Sequence, residues 1–225
     1  MQGMKGEEVT DDSCWIIKSH APWIEMEANL FNVNKMIVIV RNPSESCISF
    51  MHLSQTICHS VKVPFEPHLA YPAFWDWWVR YVVPFMNQWY QTYMQDARAR
   101  RLPTLFIRFE DLVTDPEEQH QKMMKFLLGE RDLAGTNAER RIAEVISKGA
   151  KASETYELKD TTKKFNQNAG IYTDVQREFF KSEMKEFLHF FGYAKLPQDP
   201  DNITGFYDFD GKDPALNRIY KAYEL

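Results

Sequence analysis

Short apolar runs and regularly spaced apolar residues divide the chain into predicted strands and helices. Continuous apolar runs at residues 13–17, 36–40 and 102–107 predict three strands. The run at 36–40 is rich in β-branched residues and has no polar position, which is typical of a parallel strand covered on both faces. The apolar runs therefore favour an α/β fold.

Helical spacing predicts two segments in the first half of the chain. A helix is expected at residues 43–59, followed by a proline-containing loop at 60–72. Aromatic residues then recur every three or four positions over residues 74–93 and predict a helix with a thick apolar face. Pro84 lies inside this pattern and is expected to kink or divide the helix.

Capping residues predict three further helices in the second half. These helices are expected to begin after Asp115, Thr136 and Thr173 and to end at Gly129, Gly149 and Gly192. In the last of them, the apolar positions from Val175 to Phe191 are expected to face the core.

One domain is the expected count, since 225 residues with 44% hydrophobic content can bury a sizeable core. Residues 1–12 are polar and unpatterned, and we expect a poorly ordered lead-in. Residues 13–192 form the predicted domain. Residues 193–225 are rich in Pro and Asp and are expected to pack on its surface.

Composition excludes several classes of function. A formal net charge of −5 argues against general electrostatic binding to nucleic acid. The three cysteines lack CxxC spacing, so we expect reduced thiols and neither a disulfide framework nor a zinc site. No stretch approaches the roughly 20 apolar residues of a membrane helix, and the start of the chain has no apolar signal region.

The transition from the strand at 36–40 to the next helix has the features of an anion site. Arg41 stands at the strand end, Asn42 is a suitable N-cap, Pro43 suits the first helical position, and Glu45 completes a capping-box spacing. Free N–H groups at a helix start attract phosphate, and an adjacent guanidinium can hold two phosphate oxygens. The alternative is that Arg41 pairs with a carboxylate.

A second polar group follows the first predicted strand. Lys18 and His20 lie at its exit, where open α/β sheets bind their ligands. The alternative is a surface lysine beside a histidine that caps a helix.

The aromatic helix also has two interpretations. Its aromatic face fits a hydrophobic core, and residues such as Trp77, Trp78 and Tyr81 also fit the wall of an acceptor pocket.

Four motifs occur in one order along the chain: strand-KSH, strand-RNPxxxxxS, an aromatic helix and strand-RFEDLxxDP. Together they resemble the sulfotransferase family that uses 3′-phosphoadenosine-5′-phosphosulfate (PAPS), over about Cys14 to Gly192. The resemblance implies a three-layer α/β/α domain with a mostly parallel sheet, similar to P-loop kinases. It also implies that no metal is required.

The resemblance implies cofactor contacts at five positions. Arg41 and Ser49 match the pair that holds the 3′-phosphate of PAPS. Phe109 matches a position near the adenine that is often a tyrosine. Lys163 and Lys164 lie where the family has a basic RKG-like loop over the 3′-phosphate, although no RKG is present.

The resemblance also implies the chemistry. His20 matches the catalytic histidine, which would take the proton of the acceptor, and Lys18 would stabilise negative charge on the transferring group. The acceptor would be a hydroxyl or amine on a small molecule, a sugar or a protein, and 3′,5′-ADP would be the product. Two alternatives are a nucleotide-binding domain that transfers nothing and an interaction module that uses the aromatic helix.

One departure from the family concerns the 5′-phosphosulfate. The family opens with a strand, a PKSGTTW-like loop and a helix, and no such loop precedes Lys18. We expect that the chain lacks its first strand and loop, and the alternative is a weak enzyme that has lost half of its cofactor site. The cytoplasm is the favoured compartment, with the Golgi lumen as the alternative if an anchor precedes this chain.

Overall fold

A computed structural model describes residues 15–17, 34–57, 61, 63–99, 103–148 and 169–193. In chain order, the elements are β1 (Met36–Val40), α1 (Pro43–Thr56), α2 (Pro67–Ala70), α3 (Pro72–Ala99), β2 (Thr104–Arg108), α4 (Phe109–Thr114), α5 (Pro116–Leu128), α6 (Asn137–Lys148), a short 3-10 turn (Ala169–Ile171), α7 (Asp174–Glu183) and α8 (Lys185–Phe190).

The described strands form a small parallel sheet. β1 pairs with β2 in parallel, with Val38 opposite Phe106 and Val40 opposite Arg108. Helices α1, α2 and α3 connect the two strands, because a parallel pair needs a long crossover between its members. The predicted strand at 36–40 is confirmed, and the one predicted at 102–107 lies at Thr104–Arg108.

The first predicted strand, at residues 13–17, is wrong for the part that the structure describes. Trp15, Ile16 and Ile17 belong to no helix or strand, and Trp15 and Ile16 are 65% and 58% exposed. A run this short becomes a strand only beside a partner that supplies ladder hydrogen bonds, and no described strand pairs with it. Residues 13 and 14 lie outside the described part.

The two faces of β1 are covered unequally. Val38 and Val40 are buried in the main core, whereas Ile39, on the opposite face, is 49% exposed. The prediction that both faces of this strand are covered is therefore wrong at Ile39.

The main core lies between β1 and the helices α1, α3, α7 and α8. Apolar side chains from these elements form one cluster, which consists of Val38, Val40, Cys47, Ile48, Met51, Trp75, Trp78, Val79, Val82, Val83, Tyr90, Tyr172, Phe180, Met184, Phe187, Leu188, Phe191 and Tyr193. Helix α5 packs against β2 and α6. The core therefore fixes α1 and α3 beside the end of β1.

Three predicted helix starts are confirmed by their caps. The side chain of Asn42 accepts from Ser44 N–H in α1, and that of Asp115 accepts from Glu118 N–H in α5. Thr173 and Gln176 form a reciprocal capping box at the start of α7. These bonds satisfy N–H groups that a helix leaves without partners in its first turn.

Two boundaries differ from the prediction in the first half. Helix α1 ends at Thr56 instead of residue 59, because Ile57 adopts a left-handed conformation with φ 50°. The expected loop at 60–72 contains the short helix α2.

Pro84 does not divide α3, which runs unbroken from Pro72 to Ala99. Proline removes the N–H that would bond to the carbonyl of residue 80. Arg80 lies on the exposed side of the helix, where water can donate a hydrogen bond to that carbonyl.

The last predicted helix is two helices, α7 and α8, with a break at Met184. The side chain of Asn87 on α3 donates to the carbonyl of Glu183 at 2.8 Å, which accompanies the break. Phe180 and Phe187 are buried as expected, whereas Val175 is 65% exposed and the expectation for it is wrong.

Candidate functional site

The turn between β1 and α1 is built around the side chain of Asn42. Its Oδ1 accepts from the backbone N–H of Ser44 at 3.0 Å and from the Ser44 hydroxyl at 2.8 Å. Asn42 is only 8% exposed, so this cap is enclosed in the protein. The chain therefore leaves β1 in a fixed direction, and Arg41 is the residue that stands between strand and cap.

The side chain of Arg41 lies over the ring of Phe109. Its guanidinium carbon is 4.9 Å from the ring centre, a distance that allows a cation–π interaction. Both residues are half-buried. Among the residues that the structure describes, no carboxylate forms an ion pair with Arg41. The alternative in which Arg41 pairs with a carboxylate thus has no support in the described part of the chain.

A backbone group of this turn is held by a side chain from another element. The N–H of Asn42 donates to Oε1 of Glu110 on α4 at 2.9 Å. The sequence predicted that Glu45 would receive this N–H in a capping box, and that expectation is wrong because the buried carboxylate of Glu110 receives it.

Glu110 also connects the turn to the end of α8. The hydroxyl of Tyr193 donates to Oε2 of Glu110 at 2.6 Å, and Glu110 is 5% exposed. Burial raises the pKa of Tyr193 well above its usual value, and burial raises the pKa of Tyr90 to about 12. Both phenols are therefore protonated at neutral pH and act as neutral hydrogen-bonding groups.

The neighbouring Arg108 has a structural role. It donates from Nε and Nη2 to the two carboxylate oxygens of Asp111, both at 2.7 Å, and from Nη1 to the carbonyl of Phe191 at 3.3 Å. Arg108 is 6% exposed. Within the RFEDL segment, Arg108, Glu110 and Asp111 thus fix the surrounding structure, and Phe109 is the residue in contact with Arg41.

Ser49 lies in the second turn of α1 and is exposed to solvent. Its hydroxyl forms no hydrogen bond with another described residue. Among the five predicted cofactor contacts, Arg41 and Phe109 are brought into contact, and Ser49 is available on the surface of the helix that follows Arg41.

The three aromatic residues predicted for an acceptor pocket divide between core and surface. Trp78 is 8% exposed and donates its indole N–H to the carbonyl of Cys47 at 3.2 Å. Trp77 and Tyr81 are 53% and 60% exposed, and their rings stack with centres 5.4 Å apart. The core interpretation therefore fits Trp78, and only Trp77 and Tyr81 present their rings to the outside.

Several predicted residues and segments lie outside the described part of the chain. These are Lys18, His20, Lys163, Lys164, the lead-in at 1–12 and the tail after residue 193.

Sequence reasoning missed Glu110 and Tyr193. Glu110 lies inside the RFEDL motif, so the motif itself was a signal. Tyr193 is one of several aromatic residues near the end of the last helix, and nothing in the sequence distinguishes it from its neighbours.

No described helix is both long and apolar enough to cross a membrane. In the same described residues, no group of three or more His, Cys, Asp or Glu side chains is arranged to hold a metal ion.

Comparison with models of protein families gives a match. The family model described as a sulfotransferase domain matches residues 7–170, which is more than half of the 225-residue chain. No curated protein and no solved structure matches the chain.

Proposed function

The chain belongs to the sulfotransferase family, and from this premise we propose that it moves a sulfuryl group from PAPS to a hydroxyl or amine acceptor. The product from the donor is 3′,5′-ADP. The fold in this proposal is the three-layer P-loop-like domain of the family, in which β1 and β2 are two members of a larger parallel sheet.

The observation that supports the proposal most directly is the set of contacts that Arg41 makes. Its guanidinium rests on Phe109 at 4.9 Å and has no carboxylate partner in the described residues, so its hydrogen-bonding groups are available for a ligand. A guanidinium matches the geometry of phosphate oxygens and holds two of them at once. Arg41 and the exposed Ser49 are the proposed clamp for the 3′-phosphate, with Lys163 and Lys164 as further cationic contacts.

The proposed reaction is an in-line displacement at sulfur. The acceptor oxygen or nitrogen forms a bond to sulfur while the bond from sulfur to the bridging phosphate oxygen breaks, and that oxygen keeps the electron pair. His20 takes the acceptor proton, a role that suits histidine because the unperturbed pKa of an imidazole is near 6.5. Lys18 stabilises the charge that develops on the transferring group or the bridging oxygen.

The exposed pair of Trp77 and Tyr81 is the proposed acceptor contact. Two stacked rings that are more than half exposed provide a flat apolar surface, as pockets for apolar and ring-shaped ligands do. Trp78 supports this surface from the core side of α3, since it is packed against Phe50 and Phe74.

Binding of 3′,5′-ADP tests the nucleotide site. We expect the nucleotide to raise the melting temperature of the protein and to bind measurably by calorimetry, because a ligand of the folded state stabilises it. Arg41→Ala should remove both effects, and Ser49→Ala should weaken them.

Arg80 offers a matched control. It also lies over an aromatic ring, that of Phe179 at 5.6 Å, but it is paired with Asp76 at 2.8 Å. Arg80→Ala should therefore keep the response to 3′,5′-ADP. If the native protein gives no response, or if both arginine variants lose it equally, the proposed 3′-phosphate clamp is wrong.

Transfer of labelled sulfate from PAPS tests the reaction. A set of phenols, sugars and amines serves as acceptors, and His20→Ala should abolish transfer while 3′,5′-ADP still binds. Binding of the nucleotide without transfer to any acceptor would indicate a nucleotide-binding domain instead of an enzyme.

A further inference from the structure

The turn that carries Arg41 is attached to the rest of the protein through its backbone. The N–H of Asn42, the residue after Arg41, donates to Oε1 of Glu110 at 2.9 Å. This acceptor belongs to α4 and lies 68 residues from the turn in the sequence. A local turn would satisfy such a group with its own side chains, so the distant acceptor requires an explanation.

The acceptor is itself held rigidly. Glu110 is 5% exposed and accepts from the Tyr193 hydroxyl at 2.6 Å. The ring of Tyr193 stacks in turn on Phe187, with centres 5.8 Å apart. Glu110 and Tyr193 thus form one buried assembly at the end of α8.

This assembly fixes the main chain of Arg41 and leaves its side chain available. The guanidinium touches Phe109, and the residue is half-buried instead of enclosed. A long side chain binds phosphate more tightly when its position is set before the ligand arrives, because less freedom is lost on binding. Anchoring the backbone at the amide that follows Arg41 provides such a position.

We propose that Glu110 is a positioning residue that holds the Arg41–Asn42 turn in the conformation that receives the nucleotide 3′-phosphate. This inference rests on the proposed function. It extends the proposed function because the side chain of Glu110 is not required to touch the nucleotide and acts through Arg41.

Glu110→Ala is the sharpest test. It removes the carboxylate that accepts from the Asn42 N–H and keeps Arg41 and Phe109. The turn then spends part of its time in conformations that do not bind, and the apparent affinity falls by the fraction that remains competent. We expect the affinity for 3′,5′-ADP to fall about tenfold, the scale of one buried hydrogen bond.

Comparison of two nucleotides distinguishes positioning from general destabilisation. Calorimetry with 3′,5′-ADP and with 5′-AMP, which lacks the 3′-phosphate, is carried out on the native protein and on Glu110→Ala. If Glu110 acts through Arg41, Glu110→Ala should lose affinity for 3′,5′-ADP and keep the native affinity for 5′-AMP.

Glu110→Gln is the conservative variant. It retains an oxygen that can accept from the Asn42 N–H and should bind 3′,5′-ADP nearly as the native protein does. Leu133→Ala is the control for lost stability, because Leu133 is 2% exposed and lies outside the core cluster that surrounds the turn.

The outcomes separate this inference from the proposed function. Equal losses of affinity for 3′,5′-ADP and 5′-AMP, or native affinity in Glu110→Ala, would overturn the positioning role alone. Absence of 3′,5′-ADP binding by the native protein, or full binding by Arg41→Ala, would overturn the proposed clamp. A loss in Leu133→Ala as large as in Glu110→Ala would assign the effect to stability and also overturn the inference.

Discussion

Arg41 and Phe109 are in direct contact, with the guanidinium carbon 4.9 Å from the centre of the ring. The two residues end neighbouring parallel strands, since Arg41 follows β1 and Phe109 follows β2. The aromatic ring therefore supports the arginine from the adjacent strand end, and its removal should affect whatever Arg41 binds.

We expect Phe109→Leu to weaken binding of 3′,5′-ADP about two- to fivefold, the scale of a partly exposed cation–π contact. Phe109→Tyr retains the ring and should bind as the native protein does. Phe126→Leu is a matched control. The ring of Phe126 makes a similar cation–π contact, at 5.5 Å, with Nζ of Lys35, the residue that precedes β1. Calorimetry measures all three, and equal affinity of Phe109→Leu and native protein would contradict the prediction.

Trp77 and Trp78 are adjacent in sequence and should differ in their effect on stability. Trp78→Ala removes a buried ring and the bond to the Cys47 carbonyl, and we expect the free energy of unfolding to fall by about 3–5 kcal/mol. Trp77→Ala removes a ring that is 53% exposed and should cost about 1 kcal/mol or less. Urea unfolding measures both variants. Similar losses for the two would show that the outer ring also belongs to the core.

Cys47 should be unreactive in the folded protein. Its thiol is 0% exposed, and burial raises its pKa to about 12. Since only the thiolate reacts with iodoacetamide, the reactive fraction near pH 8 is on the order of 10⁻⁴. Mass spectrometry of the peptide that contains Cys47 should show no labelling under native conditions and full labelling in urea. Labelling at equal rates in both conditions would refute the burial of this thiol.

Asp76 should contribute to stability in a pH-dependent manner. Its hydrogen bond to Arg80 holds the pKa of the carboxyl below its usual value, and Oδ1 also accepts from the buried Gln176 side chain at 3.1 Å. A carboxyl whose pKa is lower in the folded state stabilises the protein above its unfolded pKa of about 3.9, and this contribution is lost as the pH falls below that value.

Asp76→Asn should therefore reduce the stability lost on acidification. Urea midpoints at about pH 5 and about pH 3 measure this loss in the native protein and in the variant. Arg80→Gln should have a similar effect, because Arg80 is the main cause of the lowered pKa. Parallel losses in native protein and Asp76→Asn would exclude a role for this carboxylate.

The sequence predicted best what depends on neighbouring residues. Asn42, Asp115 and Thr173 were recognised as caps because a cap bonds to an N–H two or three residues away. The strands at residues 36–40 and 102–107 were recognised for the same reason, since an apolar run is a local signal.

Contacts between distant residues could not be predicted in this way. The hydrogen bond from Asn42 to Glu110 spans 68 residues, and the one from Tyr193 to Glu110 spans 83. Trp77 and Trp78 are adjacent in the sequence, and the broad aromatic face of α3 is compatible with burial of either one. The family motifs identified Arg41 and Phe109, while the residues that hold the turn became apparent only from the packing of α4 and α8 around it.

The long separation in sequence between the hydrogen-bonded residues Asn42, Glu110 and Tyr193 has a consequence for folding kinetics. Contacts across 68 and 83 residues form late, because the entropy of closing long loops has to be offset by other contacts first. Helices α5 and α7, with their local caps, can form while the Arg41 turn is still unstructured. A nucleotide that binds at this turn should therefore slow unfolding and leave the folding rate almost unchanged.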